Sequence, residues 1–387
     1  MDITQTTTQT TIQSDINTAE LLHALQPALQ KIQNKTKGEL SLDLDWHIEG
    51  SEGKRFAMNV SKGPKEKFSI RIQADYADCQ KWHSLQEVVA MATEPLILNL
   101  PHNNIGDREA EIIAKAIEKA SVSLDVGLYC NSIGNQGAKA LAKSIEKATN
   151  PLILELSINK IGNLGVKEIA KSITKAQVPL NIGLSDNNIT NEGWEALADS
   201  IASTNVPLTL KCGDKDLSKD ERIKYLAFGI SKAKMPITLN LAHSEYSDWG
   251  ILEILMKGIN QAKVPLNIDL RNNKIGNIEI KAFAESAAKL KKPLQLDLSN
   301  NKIGEEGIKD IAKMIETLQV PLTLNLSNNP IGGRSGHHLA KAIENARADL
   351  TLYITPYYYG KSFTERGKQN LLEAKNKAQV AVIIKGI

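Results

Sequence analysis

The sequence predicts an α/β solenoid: a horseshoe of stacked strand–helix units, with parallel strands on its concave face and helices on its convex face. Three observations predict it. A phrase that opens on Pro-Leu recurs at intervals of 28 residues. The first half of the phrase alternates apolar and polar residues, as a half-buried strand does. The second half spaces its apolar residues by three and four, which makes one face of a helix.

The phrase begins with PLILNL at Pro95, SLDVGL at Ser123, PLILEL at Pro151, PLNIGL at Pro179 and PLTLKC at Pro207. It continues with PITLNL at Pro236, PLNIDL at Pro265, PLQLDL at Pro293, PLTLNL at Pro321 and DLTLYI at Asp349. Every step is 28 residues except the two around Pro236, which are 29. A degenerate copy, KFSIRI, begins at Lys67. Repetition at this period is the signature of a stacked repeat architecture.

The unit from Pro293 shows the grammar. Leu294, Leu296 and Leu298 point to one side of a strand, and Ile308, Ile311, Ala312, Ile315 and Leu318 form one helical face. Between them, Asn301 can pair with backbone groups of the turn, and Gly304 tolerates its tightness. The same Asn recurs as Asn103, Asn131, Asn159, Asn187, Asn273 and Asn329. Adjacent strands need about 4.8 Å and packed helices about 8–10 Å, so stacked units must curve with the strands inside.

Taken in order, residues 1–16 read as a disordered tail. Residues 17–66 read as a cap, with a helix over Ala19 to Lys35 interrupted by Pro27, then a small sheet from LSLDLDWHI, RFAMNVS and FSIRIQ. Residues 67–348 make ten repeats, and 349–387 make a capping repeat and a last strand. The pattern falters in the units from Pro207 and Pro236. There Cys212, Lys215 and Ser218, then Ser244, Tyr246 and Ser247, replace the expected Leu, Asn, Ile or Gly.

Here the residues resemble a family. The run L-x-L-x-L-x-x-N-x-I-G-x-x-G followed by a helix resembles the leucine-rich repeats of the ribonuclease-inhibitor type. These also occur in the GTPase-activating protein for Ran and in innate-immune receptors. The resemblance covers about residues 67–387. It implies the horseshoe, and for function it leaves inhibitors, receptors and a GTPase activator all open. The low-aromatic, Lys/Asn/Ile-rich composition in such repeats also resembles the leucine-rich-repeat effectors that intracellular bacteria such as Legionella deliver into host cells. That resemblance implies virulence and host–pathogen interaction, with a host protein as partner.

Bulk composition narrows the classes. Lys and Arg number 47 against 44 Asp and Glu, a net charge of +3, which argues against a dedicated nucleic-acid binder. Aromatics are 4%, too few for base-stacking platforms. Cys79, Cys130 and Cys212 are widely spaced and odd in number, which suits a reducing compartment rather than a disulfide framework. The N-terminus lacks the basic and apolar regions of a signal peptide. No apolar stretch is long enough to span a membrane. The expectation is a soluble monomer, delivered into a host cytoplasm without a signal peptide if the effector resemblance holds.

Sites of chemistry are sought and not found. Asp214, Asp216, Ser218 and Asp220 imitate half of a calcium loop, but Lys219 and Tyr225 stand where Gly and a bidentate acid are required. Gly360-Lys361-Ser362 lacks the upstream Gly of a phosphate loop. His102 and His243 lie five units apart, Cys79 and His83 form only half a zinc site, and His337 and His338 point to different helical faces. No nucleophile–base–orienter set can be named. No catalytic residue, metal site or cofactor is expected. Lys115, Lys139, Lys143, Lys171 and Lys313 sit off the apolar stripe and read as a solvated convex surface.

The remaining candidate surface is the row of strand residues that alternate with the core leucines. Its central members are Arg71, Asn99, Gly127, Glu155, Gly183, Lys211, Asn240, Asp269, Asp297, Asn325 and Tyr353, with Asp125, Tyr129 and Arg271 beside them. Interfaces favour Tyr and Arg. Tyr129, Glu155, Lys211, Asp269, Arg271, Asp297 and Tyr353 are therefore the expected contacts for a protein partner with a basic or polar patch. A non-catalytic interaction scaffold is the first reading. A Ran-type GTPase activator is the second, set back by the missing acidic C-terminal run and the lack of a placed loop arginine. An enzyme inhibitor ranks last, because the cysteine-rich, acidic composition that this resemblance implies is missing. Tyr357, Tyr358 and Tyr359 read as cover for the terminal repeat.

Overall fold

The structure is a computed structural model. It describes the backbone of residues 8–9, 41–47, 55–62 and 68–74, and residues 85–86, 89–90, 92 and 95–386 apart from 214–220, 245–248, 333 and 356–363. The expected helix over 19–35, the calcium-like acids, the zinc-like pair, the phosphate-loop-like run and the tyrosine triplet lie outside the described residues. The chain forms two compact units, Met1–Gly193 and Trp194–Ile387.

In the first unit β1 (Thr8–Gln9) pairs in parallel with β2 (Ser41–His47). Thr8 and Gln9 fall inside the segment expected to be a disordered tail, and Thr, being β-branched, suits a strand. Strands β2, β3 (Arg55–Lys62) and β4 (Phe68–Ala74) run antiparallel. Then the repeats begin. Strands β5 (Leu96–Asn99), β6 (Leu124–Gly127), β7 (Leu152–Glu155) and β8 (Leu180–Gly183) pair in parallel, each shifted by one whole repeat, so Leu96, Leu124, Leu152 and Leu180 stand in one row. Helices α1 (Asp107–Lys119), α2 (Asn135–Lys147) and α3 (Asn163–Lys175) follow β5, β6 and β7, and the sequence of α4 (Asn191–Ser203) runs across the division.

The second unit repeats the scheme. Parallel strands are β9 (Leu208–Lys211), β10 (Ile237–Asn240), β11 (Leu266–Asp269), β12 (Leu294–Asp297), β13 (Leu322–Asn325), β14 (Leu350–Tyr353) and β15 (Val382–Lys385). Between them lie α5 (Glu221–Lys232), α6 (Trp249–Gln261), α7 (Asn277–Ala287), α8 (Glu305–Thr317), α9 (Ser335–Glu344) and α10 (Glu365–Lys377). Each unit thus has the strand-and-helix solenoid construction that the period implies.

The core lies between the two layers. Leu152, Leu154 and Leu156 come down from a strand, while Ala138, Leu141, Ala142 and Ile145 come from a helix, and all are buried. Each such leucine contributes about 2 kcal/mol by leaving water.

The turn after each strand is held by its Asn. The Asn301 amide donates to Leu270 O at 3.0 Å, Leu298 O at 3.0 Å and Ser299 O at 3.2 Å. Its Oδ1 accepts from Asn273 N at 2.9 Å and Ile275 N at 3.0 Å. One buried side chain therefore satisfies peptide groups of two successive repeats. Asn131, Asn159, Asn187 and Asn329 bond in the same way, each donating to the leucine carbonyls of its own and the preceding repeat. Asn103 donates to Pro101 O at 2.9 Å, and Asn273 to Leu241 O at 2.9 Å. Where Ser244 replaces Asn, its hydroxyl still donates to Leu241 O at 3.0 Å, so this irregular repeat keeps part of the pattern.

A second polar series was not anticipated. Asp107 Oδ1 accepts from Gly134 N at 2.7 Å and Gly137 N at 2.9 Å, the first turn of the next helix. Asn135 does this for Gly162 and Gly165, and Asn277 for Gly304 and Gly307. Asn163 accepts from Thr190 N. The first residue of one helix caps the following one, whose leading N–H groups have no partner in their own helix. Gly106 and Gly276 are served instead by Glu109 and Glu279 of their own helices.

The irregular units also have a packing rationale. Ser144, Ser172 and Ser200 are buried at one place on their helices. One 29-residue step further this place holds Gly229, and another such step on, Gly258. A methyl group on Gly229 would stand 2.7 Å from Ala198 O, and one on Gly258 would overlap Ala227 O, so neighbouring backbones approach closely here.

The residue before each ladder Asn is left-handed. In the second unit it is Asn272, Asn300 or Asn328, which tolerate this region, but in the first unit it includes Ile158 at φ 57°. A β-branched residue is strained there. Two outcomes are expected in urea denaturation. Asn301→Ala should cost about 3 kcal/mol or more, because it strands several buried peptide groups, and a loss under about 0.5 kcal/mol would show that water can replace the amide. Ile158→Asn should gain about 1 kcal/mol, whereas a lowered midpoint would mean that the isoleucine's contacts outweigh its strain.

Candidate protein-binding surface

The outward strand positions come together as rows. In the first unit, pairing sets Asn99, Gly127, Glu155 and Gly183 side by side. In the second it sets Lys211, Asn240, Asp269, Asp297, Asn325, Tyr353 and Lys385 in one line. The backbone of Arg71 pairs with that of Asn99.

These side chains are tethered. Asp269 Oδ1 accepts from Arg271 N at 3.1 Å, Asp297 Oδ1 from Ser299 N at 2.8 Å, and Glu155 Oε1 from Ser157 N at 3.2 Å and from its hydroxyl. Asn240 and Asn325 accept likewise from Ala242 N and Ser327 N. A residue at the strand end thus closes the turn that follows it.

The second oxygens in the second unit are engaged as well. Asp269 Oδ2 is paired with the Arg271 guanidinium at 2.6 Å, and Asp297 Oδ2 accepts from Asn325 Nδ2 at 3.0 Å. Lys385 Nζ sits 4.9 Å from the centre of the Tyr353 ring and 3.3 Å from its hydroxyl. Asp269 is 9% exposed, so it offers a partner little beyond its ordered edge.

Glu155 has different strand neighbours. Its strand neighbours on either side are glycines, and its carboxylate folds over Gly183, where any Cβ would overlap Oε1. The carboxylate thus covers buried Gly183 on one side, and on the other it adjoins half-buried Gly127, which has no side chain. Beside it Tyr129 is exposed and meets the His102 ring edge-on at 5.7 Å, and Ile158 is 47% exposed.

A family model described as Leucine Rich repeat matches residues 184–198 and 293–312. The two matched stretches are similar to leucine-rich repeats. No curated protein matches its sequence significantly. Among solved structures it is similar to a chain in the crystal structure of a Rad7 and Elc1 complex in yeast. That match has 12% identity and a TM-score of 0.38, and covers 79% of this chain and 78% of that one.

Within the repeats the other candidate residues have ordinary surroundings. Cys130 and Cys212 are free thiols, and no group of three or more His, Cys, Asp or Glu among the described residues is placed to hold a metal ion. His337 and His338 are 6.1 Å apart; burial holds His338 below the ordinary histidine pKa. No helix among the described residues is long and apolar enough to cross a membrane.

Gly183→Ala should push Glu155 off the Ser157 amide while leaving the fold in place, since a flexible side chain can yield. The Ser157 amide resonance should then shift and its hydrogen exchange quicken. An unmoved resonance would show that the carboxylate does not depend on the glycine.

Proposed function

We propose that this leucine-rich-repeat protein is a non-catalytic scaffold that holds a protein partner on its outward strand rows. The observation that carries the reading is the Glu155 carboxylate with Tyr129 at its side. It joins an ordered charge and exposed aromatic area in one patch. A side chain that is already ordered loses less entropy when a partner docks. The partner that fits presents a lysine or arginine to Glu155 and an apolar residue to Tyr129 and Ile158. In the second unit the row of Lys211, Asp269, Arg271, Asp297 and Tyr353 supplies polar contacts, with Asp269 fixed by Arg271 and Asp297 by Asn325.

The finer reading, a bacterial effector whose partner is a host protein, rests on the resemblance of composition and repeat type. So does the ribonuclease-inhibitor assignment of the repeats. The protein is expected to act as a monomer.

The test is affinity capture from eukaryotic lysate with mass spectrometry, comparing the parent with Tyr129→Ala/Glu155→Ala and with Asp269→Ala/Arg271→Ala/Asp297→Ala. A partner held by the parent should be lost, or weakened at least about tenfold, in the first variant. Its affinity should fall as salt rises. A partner kept equally by both variants would place recognition off the strand rows. Affinity that rises with salt would remove the charge argument.

A further inference from the structure

The helix side of the first unit carries a groove of about 610 Å³ between α1 and α2. Its floor is made by Ala114 and Ala140, whose small side chains leave the space open. From Asp107 to Glu118 the α1 wall is about 16 Å long at 1.5 Å per residue. An extended peptide rises about 3.3 Å per residue, so some five residues would fill it.

Eight charged residues line the groove. The acids are Asp107, Glu111 and Glu118, and all three are engaged. Asp107 caps Gly134 and Gly137, Glu111 pairs with Lys115 at 2.9 Å, and Glu118 pairs with Lys147 at 2.8 Å. The other cations, Arg108, Lys139 and Lys143, are exposed and make no hydrogen bond or close ion pair within the described residues, although Lys143 is near enough to help Lys115 hold Glu111 ionised. Lys139 and Lys143 lie one turn apart on α2, both on the groove wall. On the neighbouring α3, Lys167, the counterpart of Lys139, is paired with Glu192.

We infer that the α1–α2 groove is a second docking surface, which takes a short acidic protein segment along Arg108, Lys139 and Lys143. A concave, low-dielectric wall focuses the field of these charges more than an open helix face does. Fixed carboxylates on the same walls disfavour a phosphate-dense polymer. The groove lacks the apolar insertion and flat basic face that an anionic membrane requires. An acidic peptide can set its side chains between the fixed acids and reach the three cations. This surface is separate from the strand rows, so it stands whether or not those rows bind a partner.

The experiment uses the full chain and fluorescein-labelled pentaglutamate, read by fluorescence anisotropy at low salt, with pentaglutamine as control. Pentaglutamate should bind and pentaglutamine should not. Lys139→Glu/Lys143→Glu should weaken binding at least about tenfold, and the milder Lys139→Gln/Lys143→Gln should weaken it less. Lys291→Glu/Lys292→Glu, the same charge change on exposed residues of the second unit, should leave it unchanged. Circular dichroism melting confirms that each variant is folded. Equal losses in the two Lys→Glu variants would reduce the effect to net charge and overturn the groove. Absence of pentaglutamate binding would overturn it too, as would binding to phosphatidylserine vesicles that depends on Lys139 and Lys143 in place of the peptide.

Discussion

The structure depends on satisfying the peptide groups that each strand leaves behind when the chain turns away. These groups are buried between the strand layer and the helix layer, beyond the reach of water. An unpaired buried peptide group costs about 1–3 kcal/mol, and every repeat produces several. One Asn per repeat resolves this, because its amide donates to carbonyls and its oxygen accepts from N–H groups at the same time. Asn301 does both at once, reaching into the preceding repeat. Asp could accept but not donate, and Ser244 donates with a single hydroxyl proton, so it keeps only a part of the pattern. The side chain finds the corresponding carbonyl one repeat back across steps of 28 residues and, from Asn273 to Leu241, across one of 29.

The helix layer has the same problem and a parallel answer. Leading N–H groups of several helices are served by the first residue of the helix before, as with Asp107 on Gly134 and Gly137. Turn and helix start are thus each bonded to the previous repeat, in addition to the strand pairing. A repeat within either unit cannot open without leaving polar groups unpaired in its neighbour. That couples nearest neighbours more tightly than apolar burial alone would.

Much of this was legible in the sequence. Strand, turn and helix could be read from Leu294 to Leu318 because period-two and period-3.6 patterns require only side-chain direction. Asn301 stood out because a buried amide at fixed spacing has few other uses. The helix-start series was equally visible as Asp or Asn directly after Gly, at 107, 135, 163 and 277. It was missed because such a residue reads as a cap for its own helix, whereas its partner lies 27 residues on. The close approaches at Gly229 and Gly258 were hidden for a similar reason: a helical Gly shows its cost locally and its purpose only in the packed pair. The candidate surface was legible as positions and not as chemistry. Alternation places Glu155, Asp269 and Asp297 outward, but nothing local says that each turns back to hold the N–H two residues later.

That difference bears on recognition. A strand row whose charges are already spent on Arg271, Asn325 and Lys385 must break or share those bonds to meet a partner, and desolvating them costs much of what new contacts return. Such a row orients a partner more than it attracts one. Attraction falls to groups whose surroundings leave room, and in the first unit these are the carboxylate between Gly127 and Gly183 and the lysines over Ala114 and Ala140. The two have opposite sign and sit on opposite layers of neighbouring repeats. In a scaffold that must keep its interior identical from unit to unit, small residues at outward places are the cheapest way to make one repeat unlike the next. Gly127, Gly183 and Ala140 differentiate the surface by what they omit, while the ladder beneath them is unchanged.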